Sequence, residues 1–298
     1  MRIIRPVTVT DAMLISSNVA EDDHLAWDIA TLYTVGQMVV SDHIIYECLV
    51  EHTGASPAEN SGGTAPKWLN LGATNRWRMF DEKVGSQTTK AESITLSISP
   101  GIVDSIAFLD LVATEIVITM TDPTEGLVYA ETIDLVSGAT IGDGYTYFFE
   151  PLITTDAAVL LGIPPYGSAE INIAINYPSG TAAVGTVAFG MQKDLGVTQS
   201  NPSIGIIDYS KKEVDTFGNF SVLRRAYSKR LECELFVSNN AIDDLHRTLS
   251  DHRATPVIWV GADSGHSSMI IYGFYRSFSI NVPYPNHSTC SLEIEGLS

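Results

Sequence analysis

The chain has 298 residues, 45% of them hydrophobic and 17% charged, with a formal net charge of −18 and a pI near 4.6. The length allows two or three domains and the composition excludes a disordered polymer. So acidic a surface repels nucleic acid and anionic membranes, and no apolar run approaches the ~18 residues of a membrane helix, so neither nucleic-acid binding nor membrane insertion is expected.

The charge is unevenly spread. Residues 1–204 hold 8 Lys and Arg against 24 Asp and Glu; residues 205–298 hold 9 against 11. That shift places a boundary near residue 200. The cysteines, Cys48, Cys233 and Cys290, are odd in number, far apart and without a C-x-x-C pair. They read as small buried strand residues rather than a zinc or redox site. The opening Met1-Arg2-Ile3-Ile4-Arg5-Pro6 lacks the apolar core and small-residue cleavage site of a signal peptide, so a product made in a cytoplasm and not exported is expected.

In chain order, residues 1–22 read as an extended arm that packs on its own chain or on a neighbouring subunit, and Pro6 argues against a central strand there. Asp22-Asp23-His24 reads as a solvated turn, because adjacent residues cannot aim three ligands at one ion. Residues 23–72 form a small β module. Its Val-rich run 38–40 and the run 44–49, separated by Ser41-Asp42-His43, read as a hairpin, followed by a Gly/Ser/Pro-rich loop and Trp68. So short a module leans on aromatic packing.

Residues 73–90 are a bridge. There Trp77, between Arg76 and Arg78, is either a buried junction residue or a cation–π or sugar platform. Residues 91–200 alternate polar and apolar in about eight short runs, among them 93–99, 104–109, 115–121, 127–135, 145–150, 170–177 and 182–191, divided by Gly, Pro and Asp turns. They predict an antiparallel, jelly-roll-like sandwich.

Residues 201–298 predict a second sandwich. Residues 204–209, 221–225, 228–236, 255–260, 268–280 and 289–297 read as strands, 211–219 as a polar, mobile hairpin, and Asp263-Ser264-Gly265 as a turn. The single clear helix spans 241–251, with Asn240 as its N-cap, Asp243 and Asp244 at its positive end, an Ile242/Leu245/Leu249 stripe, and His252 suited to the dipole at its C-terminus. The fold class is therefore mainly β: a small β module plus two antiparallel β-sandwich domains, the last with a single α-helix.

Two resemblances stand beside this reading. Trp27, Tyr33, Gly36, Val39, Tyr46, Pro66 and Trp68 fall where the small chitin-binding modules of bacterial chitinases carry their aromatic, glycine and proline positions, so the module resembles that family. The resemblance implies carbohydrate binding through Trp27, Tyr33, Tyr46 and Trp68. The residues themselves leave two readings open, because a sugar stacks only on an aromatic face that the fold does not consume. The strand order of residues 203–298, the long hairpin and the closing phrase 290–297 resemble the β-sandwich of phage tail-tube and distal tail ring proteins, and the opening phrase 3–11 with the module behind it resembles phage proteins labelled carbohydrate-binding. That resemblance implies a virion tail protein, assembling as a ring with copies of itself and with other phage tail proteins, and touching host cell-surface polysaccharide.

The sequence holds no G-x-S-x-G elbow, P-loop or H-E-x-x-H, and its many scattered carboxylates single out no acid–base pair. No catalysis and no cofactor are expected. Lys211, Lys212, Arg224, Arg225, Lys229 and Arg230 gather on the hairpin and its flanks, and against an acidic body they suit head-to-tail contacts between subunits; ordinary solvated strand charge is the other reading. The reading is a structural, non-enzymatic component of a phage tail tip or baseplate. The alternative is a stand-alone carbohydrate-binding protein or the accessory module of a polysaccharide-degrading enzyme.

Overall fold

A computed structural model describes residues 1–136, 154–214, 216–262, 266–282 and 285–297. The expected run 145–150 and the 263–265 turn lie outside them. The chain is mainly β, and among the described residues Ile242–Asp251 is the one helix of seven residues or more.

The strand Glu170–Asp194 is the spine of the molecule. Through its first half it pairs with Glu115–Asp122 on one side and Thr88–Ile98 on the other. Tyr177–Gly180 then interrupts the register, with Ser179 at a positive φ of 64°, and pairing resumes at Thr181 opposite Ala91. Beyond the bulge the strand takes a new neighbour, Ser105–Val112. Gly126–Asp134 and Ala157–Leu161 flank these strands. The alternation read from the sequence is the alternation of burial. Ile171, Ile173 and Ile175 meet Ile94, Leu96, Ile98, Phe108, Ile116 and Ile118 in one core.

The C-terminal unit orders its strands as Val257–Val260, Ile270–Asn281, His287–Gly296 and Tyr227–Ser238, with Ser203–Asp208 and Val197–Thr198 on the far side. The helix lays Leu245 and Leu249 on Leu231, Leu235, Trp259 and Leu292. Thr248 replaces Ile242 in its buried stripe. The expected Asn240 cap is corrected: a 3-10 turn, Asn239–Ala241, leads into the helix, no side chain caps it, and the neighbouring Asn239 accepts a 2.6 Å hydrogen bond from Ser288. The dipole role for His252 is corrected as well. Burial, with a smaller push from Arg5, lowers its pKa and disfavours the charge a dipole would attract.

One strand joins the two units. Arg2–Pro6 lies between Glu170–Asp194 and Val257–Val260, with Ile3 opposite both Lys193 and Trp259. This makes a single sheet of 14 strands. Pro6 was expected to keep the segment out of a sheet centre. It stands last in the strand, only one donor is missing, and Val7 N–H resumes the bonding to the Phe189 carbonyl at 2.8 Å. Ile3 packs into the C-terminal core, whereas Ile4 joins Ala107, Ala157, Ala188, Ile258 and Tyr272 in a separate cluster at the junction. The backbones cross closely here: a Cβ on Gly190 would collide with the Arg5 carbonyl oxygen.

The small module contributes a three-stranded sheet, Met38–Ser41, Ile44–Cys48 and Trp68–Ala73, and a two-stranded pair, Leu32–Tyr33 with His52–Thr53. Its hairpin turns on Asp42 and His43, both at positive φ (49° and 65°), the conformation of a two-residue type I′ turn.

Candidate interaction surface

Three of the four expected sugar-platform residues occupy the centre of the small module. Tyr33, Val39, Tyr46, Cys48 and Trp68 are its core, with Trp27 packed against it. Trp68 is 0% exposed, its indole N–H donates to the Ala55 carbonyl at 2.9 Å, and Tyr33 and His52 meet it edge-on. The Tyr33 hydroxyl accepts from the Asp28 backbone N–H at 2.7 Å. These contacts correct the platform reading for Tyr33, Tyr46 and Trp68: a module this small has only these rings to bury, and it buries them. Trp27 is half-buried, with an indole N–H that finds no protein acceptor.

The module is fastened to the rest of the chain by His43. Its Nδ1 lies 2.8 Å from Glu21, its Nε2 lies 2.9 Å from Asp11, and its ring stacks on Trp77 at 4.3 Å. Burial lowers its pKa, but the hydrogen bonds and charges of Asp11 and Glu21 outweigh burial and the net shift is upward. Glu21 also accepts from the Thr74 hydroxyl at 2.8 Å, and Arg76 Nε donates to the Val19 carbonyl at 2.7 Å. Trp77 is buried against Phe80, so it is a junction residue and not an open platform. Asp23, in the Asp22-Asp23-His24 turn, accepts from the Asn75 backbone N–H at 3.2 Å.

The six basic residues divide. Lys229 and Arg230 lie behind the ribbon, half-buried and ion-paired within the chain. Lys229 reaches across the junction to Asp156 at 2.7 Å, and Arg230 pairs with Glu232 and with Glu293, the latter at 2.8 Å. The other four belong to a projecting ribbon. Ser203–Asp208 pairs with the start of Tyr227–Ser238, and beyond them Lys211–Val214 pairs with Phe220–Leu223 and with nothing else. Tyr209 anchors the root by donating to Glu295 at 2.9 Å. Asp208 there receives the Ser210 side chain and backbone N–H together with Lys212, which hold its carboxyl down at about 2. Lys211 pairs with Glu213 and Lys212 with Asp208; Arg224 and Arg225 make no ion pair among the described residues.

The polar hairpin was expected over 211–219, with 221–225 as a strand of the sandwich; instead Phe220–Leu223 is the second strand of the hairpin. Its register shows that one face is mainly apolar. Lys211 lies opposite Leu223 and Glu213 opposite Ser221, while Lys212 lies opposite Val222 and Val214 opposite Phe220. Because side chains alternate across a strand, the second face is Val214, Phe220 and Val222, exposed to 55%, 77% and 62%, with Lys212 at its root end. The charge-dominated sequence hid this apolar face, because its two halves lie on opposite sides of a turn.

At the junction, Leu109, Ile270, Ile271 and Leu297 line a cavity of about 260 Å³, with the Lys229–Asp156 pair among its walls. Tyr272 also lines it. Its buried hydroxyl finds no partner among the described residues, and burial, then the charges of Glu82 and Asp81, push its pKa up. Burial likewise holds Cys233 and Cys290 up at about 11, so both are thiols at neutral pH. Among the described residues no group of three His, Cys, Asp or Glu side chains is placed to hold a metal, and no helix is long and apolar enough to cross a membrane. Set against known proteins, the chain matches no family model and no curated protein sequence.

Proposed function

We propose that this chain is a non-enzymatic structural component of a phage tail tip or baseplate, assembling as a ring with other copies of itself and with other tail proteins. The observation that carries the reading is the 209–227 ribbon. A two-stranded hairpin is marginal in water, and this one leaves an apolar face and the guanidinium groups of Arg224 and Arg225 open to solvent. Such an element becomes favourable when a partner covers it. The body behind it is suited to bearing load: the Arg2–Pro6 strand welds the two sandwiches into one sheet, and the junction has its own apolar cluster. Stacking of host glycans on the small module is not part of this reading, because Tyr33, Tyr46 and Trp68 are core.

Size exclusion with light scattering tests it. The full chain should assemble in a concentration-dependent way. Deleting residues 211–219 should leave a folded monomer with unchanged melting that no longer enters tails. A full chain that stays monomeric at every concentration, or tails that assemble normally with the deleted form, would overturn the reading.

A further inference from the structure

The second face of the small module's sheet buries Ile45 but leaves an apolar strip beside it exposed among the described residues. In its three-stranded sheet, Val39, Tyr46, Cys48 and Trp68 point into the module core. The alternate row is Met38, Glu47 and Leu69, opposite one another across the three strands, and by the period of a strand it points the other way. Met38 and Leu69 are exposed, as is Leu71 beside them at a break in register. Glu47, in the middle of the row, makes no ion pair among the described residues. The module is strongly acidic: residues 23–72 contain Asp23, Asp28, Asp42, Glu47, Glu51 and Glu59 against Lys67 alone.

The hairpin presents the opposite pattern. Val214, Phe220 and Val222 form its mainly apolar face, which Lys212 shares, and Lys211, Lys212, Arg224 and Arg225 outnumber Glu213 and Asp215. Apolar matches apolar and basic matches acidic. Two hairpins facing one another would instead set like charges side by side. The hairpin's own module leaves Val214, Phe220 and Val222 exposed, so the match is not made within one chain.

We infer that the hairpin of one copy docks its Val214/Phe220/Val222 face on the Met38/Leu69/Leu71 face of the small module of a second copy, with Arg224 and Arg225 meeting Glu47. This rests on the assembly reading above and names its acceptor. Because donor and acceptor are different surfaces, the contact is heterologous. It therefore propagates from copy to copy until it closes into a ring or continues as a filament. It also gives the small module a role that needs no sugar.

The test uses the full-length chain with substitutions confined to exposed positions. Leu69→Lys with Leu71→Lys should leave melting unchanged and move the association midpoint to at least about tenfold higher concentration, the scale of one lost interface anchor. Glu47→Lys should weaken association, Arg224→Glu with Arg225→Glu should weaken it too, and combining the two sets should restore it, which a surface merely made less soluble would not do. If the parent chain assembles and needs the hairpin, yet the Leu69/Leu71 variant assembles normally or the charge reversal gives no rescue, the module is not the acceptor while the assembly reading stands. If the parent chain never assembles, both fall.

Discussion

The strands Glu170–Asp194 and Phe220–Leu223 are built from similar residues and end in opposite environments. In the first, Ile171, Ile173, Ile175, Val184 and Phe189 are all buried; in the second, every residue is exposed. Period-2 alternation sorts side chains onto two faces of a strand, and both segments do this. Burial needs a second layer. The spine has one because the sandwich folds back over it, and beyond Gly190 it gains the Arg2–Pro6 strand as a neighbour. The hairpin extends past the last strand that could cover it. Alternation therefore predicts which residues share a face and leaves open whether that face is satisfied within the chain.

Substitutions can break this comparison or sharpen it. The largest effect on folding should come from Trp68→Ala. Removing a fully buried indole that also bonds Ala55 costs about 3–5 kcal/mol, more than a module with so small a core can lose. Limited proteolysis should then cut within residues 23–72 while the two sandwiches stay intact. A module that resists proteolysis as the parent does would show that Trp68 is not its keystone.

Gly190→Ala should come next. Its new Cβ meets the Arg5 backbone, and overpacking of this kind costs about 1–3 kcal/mol. The site is where the first strand crosses the spine, so calorimetry should show the melting of the two sandwiches separating. A single transition shifted as a whole would mean that the junction does not depend on this crossing.

Phe220→Ala with Val222→Ala should change folding stability by less than about 0.5 kcal/mol, as for surface positions, while reducing self-association. A marked fall in melting temperature would mean that the hairpin packs on its own chain, and the contrast with the spine would fail.

The smallest effect is a pH dependence. His43 has a folded pKa above its ordinary value of 6.5. Its contribution is fully present below the unfolded pKa and is lost as pH rises through the raised folded value. Both the ring and Asp11 are substantially solvent-exposed, so screening keeps this below about 1 kcal/mol. His52, lowered by burial and by Lys67, works in the opposite sense: its contribution is present above the unfolded pKa and is lost as pH falls through the folded value. The measurement is therefore a difference: the melting of the parent minus that of His43→Gln should shrink from about pH 6 to about pH 8. A difference that grows with pH would contradict the Asp11–His43–Glu21 arrangement.

Read alone, the sequence determined what is local. Alternation marked the strands of both sandwiches, Asp42-His43 marked a hairpin turn, Leu245 and Leu249 marked the buried side of the helix, and the weak charge of residues 205–298 set that region apart. These follow from propensity and period, which act over a few residues. Only the tertiary structure decided what depends on residues far apart in the chain. Arg2–Pro6 became a central strand because two strands more than sixty residues apart offered it edges on both sides. Lys229 and Arg230 are paired within the chain because Asp156 and Glu293 came within reach. Tyr33, Tyr46 and Trp68 share a pattern with a sugar platform and with a core. An aromatic spacing fixes where rings sit along the chain, and only the packing of the whole module decides which way they face.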